Sequence, residues 1–287
     1  MRPHSPPYAT DAVLHLKRAD PILGAIIDRV GPYSVARRRD RFQALIRAII
    51  FQQLAGRAAQ TIFDRFVAQI GGRKFPTPAQ VLAATDDVLR QVGLSRGKMT
   101  YVRDLALHVS EGRLNFNRFA KMEDEAIIAD LTRVRGVGRW TAEMFLMFNL
   151  YRPDVLPVDD LGVRNAVGRL YAMAAAPRAK ELREFGERWR PYRTVAAWYL
   201  WRSLEAVTPE QADPAQAAAR KPRPAMKARK IAQPTAKSTI KPGRPAIKSR
   251  LAAKPAVKPA RVKSARSSPI KSTVPPYPNG APTPRPR

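Results

Sequence analysis

The stretch VRGVGRWTAEMFLMF, residues 134–148, places two glycines around one valine and then begins an apolar run with helical spacing. One helix should therefore end near Val134 and another should begin near Arg139. We expect Gly136 and Gly138 to adopt backbone angles closed to other residues and to let a phosphate approach exposed N–H groups. A turn of this kind serves folding alone or holds an anion, and the rest of the chain has to decide between the two.

The pattern is helical from residue 9 to about residue 209. In RFQALIRAIIFQQLAGRAAQTIFDRF, residues 41–66, apolar residues recur at helical spacing and the pattern breaks near residues 53–55. Thr77 and Pro78 occupy the N-cap and first-turn positions of a further helix. We find no stretch of clean period-two alternation. The sequence predicts an all-α domain of roughly 200 residues.

The charge of the chain is strongly positive, because 52 Lys and Arg stand against 23 Asp and Glu, which gives 52 − 23 = +29. Such an excess points to a polyanionic partner, most simply nucleic acid. No apolar run approaches the ~20 residues that span a bilayer, so no membrane partner is expected. The sequence has no cysteine, which excludes disulfides and Cys-ligated zinc or iron–sulfur sites.

The positive charge is concentrated in a C-terminal tail. Residues 214–287 contain 19 Lys and Arg and no acid, and this leaves 52 − 19 = 33 bases against 23 acids before them. Lys, Pro and Ala dominate this stretch, so it cannot bury enough apolar surface to offset the entropy of ordering. We expect a helical domain over residues 1–208 and a disordered basic tail over residues 209–287. An inert solubilising linker is the alternative interpretation of the tail.

Four motifs in a fixed order give the helical domain a family resemblance. The motifs are RFQALIRAIIFQQLAGRAAQTIFDRF, GLSRGKMTYVRDLA, LTRVRGVGRWTAEMFLMF and LPVDDLGVRNAV. With them the sequence resembles the helix-hairpin-helix (HhH-GPD) DNA glycosylases and, among them, the alkylbase or DNA-3-methyladenine glycosylase II family, over nearly all of residues 9–208. The resemblance implies two helical subdomains around a cleft, in the compact form without an N-terminal β domain.

By this resemblance Asp160 is the catalytic carboxylate. Breaking an N-glycosidic bond builds positive charge on the deoxyribose, which a nearby carboxylate stabilises while it orients or deprotonates water. An alternative is that Asp159 and Asp160 only cap a helix. We expect Asp159 to be the more structural of the two and Asp160 to face the site.

The position after GVGR separates two mechanisms. In the bifunctional relatives a lysine there attacks the sugar as an amine nucleophile, whereas this chain has Trp140. Tryptophan cannot form a Schiff base, so the resemblance implies a monofunctional enzyme that uses water and leaves an abasic site.

The resemblance also places Trp140 and Trp201 in the pocket for the flipped base, where electron-rich walls favour a cationic purine. The alternative for Trp201 is a core residue, because Trp198 lies on nearly the same helix face. Met144 and Leu161 occupy positions where a bacterial relative has tyrosines, so this pocket should be less aromatic.

The remaining predicted contacts are with the DNA backbone and with the gap left by the flipped nucleotide. Leu54 is the candidate wedge that fills this gap, and Lys98 is a further phosphate contact. Backbone carbonyls at Thr132, Arg135 and Gly138 are the expected ligands of a monovalent cation. The predicted DNA-binding residues are Gln53, Leu54, Arg57, Gly136, Val137, Gly138 and Arg139.

The sequence thus predicts a cytoplasmic, nucleoid-associated monomer that excises alkylated purines of the 3-methyladenine type from double-stranded DNA. Apart from the hairpin cation we expect no cofactor. Two alternatives stay open: a catalytically idle DNA-binding or DNA-compacting protein, and a glycosylase for deaminated or mismatched bases.

Overall fold

The computed structural model describes residues 3–36 and 40–205, so the predicted tail at 209–287 and the domain boundary at residue 208 lie outside the described residues. The described part is helical, as the sequence predicts. Its helices are α1 Ala9–Ala19, α2 Pro21–Val30, α3 Arg41–Phe51, α4 Gly56–Phe66, α5 Pro78–Ala83, α6 Asp86–Gln91, α7 Arg96–Ser110, α8 Asp124–Thr132, α9 Arg139–Asn149, α10 Leu161–Leu170, α11 Ala179–Phe185 and α12 Arg193–Glu205.

Shorter elements complete the described fold. A π-helical turn, Val67–Gly71, extends α4, and 3₁₀ turns occupy Phe119–Lys121 and Gly186–Trp189. Two strands of two residues each, β1 Pro3–His4 and β2 Val35–Ala36, pair antiparallel. These strands are too short to show period-two alternation, which explains why the pattern search missed them.

Short polar side chains set the starts of several helices. Thr77 forms a capping box with Gln80, and Pro78 stands in the first turn of α5, as the Thr-Pro pair predicts. Asp20 accepts a hydrogen bond from the Leu23 amide at 3.0 Å and so begins α2. These caps satisfy N–H groups that have no partner inside the helix.

The strongest helix–helix contacts of the described residues fall into two groups, and one cluster of buried apolar side chains includes residues of both. In the first group α1 packs on α2, and α12 packs on α1, α2 and α10. In the second group α3 packs on α4, α7 and α9, while α7 also packs on α5 and α6, and α8 packs on α9. The chain therefore leaves the first group after α2 and returns to it at α10. No helix of the described residues is long and apolar enough to cross a membrane.

Candidate active site

The carboxylate of Asp160 lies where the two helix groups meet. Asp160 immediately precedes α10, and its Oδ1 accepts the backbone N–H of Val163 at 2.8 Å, so it is the N-cap of that helix. Asp160 is 8% exposed and so buried, whereas the neighbouring Asp159 is exposed. The expectation that Asp159 is the more structural residue was therefore wrong. Because α10 begins at Leu161, the capping position falls on Asp160, which both caps the helix and accepts hydrogen bonds from two indoles.

Two tryptophans from different helix groups donate to this carboxylate. Trp140, in the first turn of α9, donates its Nε1–H to Oδ2 of Asp160 at 2.7 Å. Trp201, on α12, donates its Nε1–H to Oδ1 at 2.9 Å. A carboxylate that accepts two indole N–H bonds and one amide bond is held in a single orientation. The structure thus brings Asp160, Trp140 and Trp201 together.

A glycine makes this close approach possible. A Cβ atom on Gly162 would lie 3.0 Å from Oδ1 of Asp160 and 3.1 Å from Cδ1 of Trp201. A side chain at this position would therefore require the carboxylate or the indole to shift by a few tenths of an ångström. Sequence reasoning missed Gly162, although a glycine two residues after a capping aspartate is the signal that could have drawn attention to it.

The face of α9 that carries Trp140 also carries Met144 and Phe148, since residues four apart lie on one side of a helix. All three are half-buried, and the ring centroids of Phe148 and Trp201 lie 6.0 Å apart. Leu161 follows the catalytic candidate directly and is 40% exposed. Trp140, Met144 and Leu161 are thus partly exposed, whereas Trp201 is only 6% exposed. The role of these four residues in base recognition stays a prediction.

Trp198 points to a different part of the molecule from Trp201. Its ring meets that of Tyr33 edge-on at a centroid distance of 5.2 Å, and Tyr33 is fully buried. Both tryptophans are 6% exposed and belong to the core, but Trp198 contacts Tyr33 whereas Trp201 reaches the carboxylate of Asp160.

The hairpin turn, residues 134–138, joins α8 to α9. Gly136 has φ +82°, an angle that only glycine adopts without strain, and a Cβ there would overlap the ring of Tyr101. Gly138 has φ −88° and ψ 172°, which any residue can adopt, so the expectation that both glycines need special angles was wrong. A Cβ on Gly138 would meet no atom within 4 Å. Gly136 thus serves the fold, and Gly138 leaves room beside the first turn of α9.

We predict different effects for alanine at these two glycines. Gly136→Ala should lower the free energy of unfolding by about 2–4 kcal/mol, because it adds both backbone strain and a clash with Tyr101. Gly138→Ala, the matched control, should cost less than about 1 kcal/mol but weaken DNA binding, because its methyl group enters the open space. Denaturant unfolding and binding titrations measure the two effects. Equal losses of stability would contradict this separation.

Within the hairpin turn, the N–H group of Val137 already has a hydrogen-bond partner in the protein. Val137 is buried, and its amide donates to the carbonyl of Val134 at 3.0 Å. Helix α9 begins at Arg139, and the backbone N–H groups of its first turn have no partner inside the helix. This end of a helix attracts anions. We therefore expect a phosphate to meet the amides that follow Val137.

Arg139 lies between two carboxylates. Its Nη1 donates to Oε2 of Glu125 at 2.9 Å, and its Nε donates to Oε1 of Glu143 at 3.0 Å. Glu143 is 3% exposed, and burial raises its pKa to about 7. A phosphate that binds Arg139 has to compete with these acids, a constraint that the sequence pattern did not reveal.

The wedge turn, residues 52–55, lies between α3 and α4. Gln53 is exposed with φ +58°, Leu54 is half-buried, and Arg57 is exposed in the first turn of α4. Lys98 is half-buried, and its Nζ donates to the carbonyls of Ile50 and Gln52 at 2.7 Å each. These bonds tie Lys98 to the wedge turn, and its predicted contact with a phosphate stays a prediction.

The residues predicted to hold a monovalent cation lie at or next to the hairpin turn. Thr132 is the last residue of α8, and carbonyls at the C-terminal end of a helix have no partner inside it. Thr132, Arg135 and Gly138 are all exposed, which suits carbonyl coordination beside a bound phosphate. Among the described residues no group of three or more His, Asp or Glu could hold a metal ion.

Comparison with known proteins assigns the chain to a family. The model of the HhH-GPD superfamily of base excision DNA repair proteins matches residues 46–191. DNA-3-methyladenine glycosylase 1 of Schizosaccharomyces pombe is 34% identical over 198 residues, which cover 68% of this chain and 87% of that protein.

Solved structures agree with the sequence match. A 3-methyladenine DNA glycosylase of Schizosaccharomyces pombe in complex with abasic DNA superposes with a TM-score of 0.63 at 32% identity, covering 71% of this chain and 100% of the other. A DNA-3-methyladenine glycosidase from Bacillus halodurans gives a TM-score of 0.65 at 36% identity, covering 72% of this chain and 94% of the other.

Proposed function

Because the chain belongs to the HhH-GPD superfamily of base excision DNA repair proteins, we propose that it is a monofunctional glycosylase with Asp160 as its catalytic carboxylate. Its activity is the excision of alkylated purines of the 3-methyladenine type from DNA in base excision repair. The observation that carries the residue assignment is the buried carboxylate of Asp160, which two indole N–H groups hold at the junction of the helix groups.

The reaction needs one negative charge in a fixed place. As the bond between base and deoxyribose lengthens, positive charge develops on the sugar, and Asp160 stabilises it in a site partly shielded from water. The carboxylate also orients or deprotonates the attacking water. An alkylated purine is already cationic and is a good leaving group, so no strong general acid is required.

The electron-rich rings favour the same substrates. The indoles of the half-buried Trp140 and of Trp201, which is 6% exposed, lie beside the carboxylate, and electron-rich rings there would attract a cationic base more than a neutral one. Met144 and Leu161 add aliphatic side chains. Flipping costs a few kcal/mol, which these contacts and the charge on the base offset.

We predict that the product is an intact strand with an abasic site, because Trp140 stands where the strand-cutting relatives have a lysine. A duplex with a single lesion should be cut only after alkali treatment. Gel analysis with and without alkali measures this result. Borohydride trapping of a covalent protein–DNA adduct would contradict the hydrolytic mechanism.

Binding to double-stranded DNA involves the hairpin turn, the wedge turn and the tail. The hairpin turn holds the backbone through N–H groups, and a monovalent cation on the carbonyls of Thr132, Arg135 and Gly138 would bridge the turn to a phosphate. Leu54 enters the stack beside the flipped nucleotide, flanked by Gln53 and Arg57. As a monomer associated with the nucleoid in the cytoplasm, the enzyme would meet lesions while the basic tail keeps it on DNA.

A further inference from the structure

Helix α7 contacts both of the turns assigned to DNA binding. Lys98, Tyr101 and Asp104 follow one another at intervals of three residues, so their side chains share one face of the helix. This face meets the wedge turn at one end and the hairpin turn at the other. The two turns are far apart in sequence, and the proposed function requires them to act on one stretch of DNA.

Lys98 holds the wedge turn. Its ammonium group donates to the carbonyl of Ile50, within the last turn of α3, and to that of Gln52, which caps the helix. Carbonyls at a helix C-terminus have no partner inside the helix and attract a cation. Burial lowers the pKa of Lys98. Without this ammonium group the end of α3 would lose two hydrogen bonds just before Leu54.

Tyr101 and Asp104 hold the hairpin turn. Oδ2 of Asp104 accepts the backbone N–H of Arg135 at 2.8 Å. The ring of Tyr101 lies against Gly136, where it occupies the space that a Cβ atom would need. The hairpin turn is therefore fixed to α7 by a charge-assisted hydrogen bond and by a packed ring.

Gln52 joins the two turns directly. Its Nε2 donates to the carbonyl of Gly136 at 2.8 Å, across 84 positions of sequence. Gln52 thus receives a hydrogen bond from Lys98 at its own carbonyl and donates one to the hairpin turn from its side chain. Hydrogen bonds therefore connect α7 to the wedge turn and the wedge turn to the hairpin turn.

We propose that Lys98 and Gln52 are positioning residues that fix the wedge turn at a set distance from the hairpin turn, so that backbone binding places Leu54 beside the base to be flipped. This inference rests on the proposed function. A wedge has to enter the stack at a fixed offset from the held phosphate, and a displacement of about 1 Å can lower a rate by about 100-fold.

The test uses the full chain with Gln52→Ala or Lys98→Met and two duplexes. One duplex contains a stable abasic analogue beside 2-aminopurine, whose fluorescence reports unstacking by the wedge without any bond cleavage. The other contains an alkylated purine for single-turnover excision at saturating enzyme. Lys17→Met is the matched control, because Lys17 forms an exposed ion pair with Asp28 in the α1 and α2 pair.

We expect both variants to bind DNA within about threefold of the wild type while the fluorescence change is reduced and excision falls about 10- to 100-fold. Lys98→Arg should restore much of both signals, because its guanidinium can donate to both carbonyls. The control should match the wild type. If Lys98 and Gln52 only supported the fold, the variants would lose thermal stability and DNA binding together with excision.

Wild-type fluorescence and excision in Gln52→Ala would overturn the inference, even if Lys98→Met fails to fold. Equal losses of binding and excision in both variants would also overturn it. The failure of the proposed function looks different. In that case the wild type releases no base, while the abasic-analogue duplex still reports whether the variants change insertion of the wedge.

Discussion

Asp160→Asn is expected to lower the single-turnover excision rate by at least about 1,000-fold, or about 4 kcal/mol of transition-state stabilisation. Asparagine keeps the shape of the side chain, and its oxygen can still accept the Val163 amide that begins α10. It has no negative charge to offset the charge on the sugar. Its amide NH₂ group would also face an indole N–H in place of an acceptor.

DNA affinity should stay the same or rise in this variant, since a negative charge near phosphates is removed. Asp159→Asn is the matched control: it changes the same residue type one position earlier, where the side chain is exposed, and should leave excision within about twofold. Rates on one lesion duplex, together with binding titrations, separate the two effects. Excision by Asp160→Asn within about threefold of the wild type would end the assignment.

Removal of the chain after Asp213 is expected to flatten the salt dependence of DNA binding by about five or six units of slope. Each phosphate neutralised by Lys or Arg contributes roughly −0.9 to the slope of log affinity against log salt. The truncation removes 19 positive charges and no acid, and the expected change follows if about a third of them contact DNA. Single-turnover excision on a short, saturating duplex should hardly change, because uniform binding adds nothing to the chemical step.

A full-length variant with the tail lysines and arginines replaced by glutamine is the control for chain length. It should reproduce the flattened slope, because the effect comes from charge. An unchanged slope after truncation would exclude a role of the tail as a DNA tether. A large loss of the single-turnover rate would mean instead that the tail belongs to the active structure.

Local sequence signals predicted most of the helical framework. The Thr-Pro start of α5, the break between α3 and α4 and the glycine turn before α9 each reflect a rule of backbone chemistry that acts within a few residues. The catalytic role of Asp160 was assigned from the family motifs, because an aspartate after a proline-flanked loop does not by itself indicate catalysis. The comparisons confirm the family and the fold.

What the sequence did not reveal depends on contacts between distant segments. The two acids that hold Arg139 and the carbonyls that hold Lys98 are brought to these cations by packing. Trp198 and Trp201 have similar helical positions, and only the neighbouring elements decide which one reaches the carboxylate. The contact of Gln52 with the hairpin turn spans 84 residues, so no local pattern could predict it.

We propose that this chain hydrolyses the bond between an alkylated purine and deoxyribose through Asp160. Chromatography of the base released from methylated duplex DNA by the wild type, run beside Asp160→Asn, tests this proposal. We expect free 3-methyladenine from the wild type well above spontaneous depurination, and none above that background from the variant. Release at the spontaneous rate by the wild type, or equal release by both proteins, would contradict it.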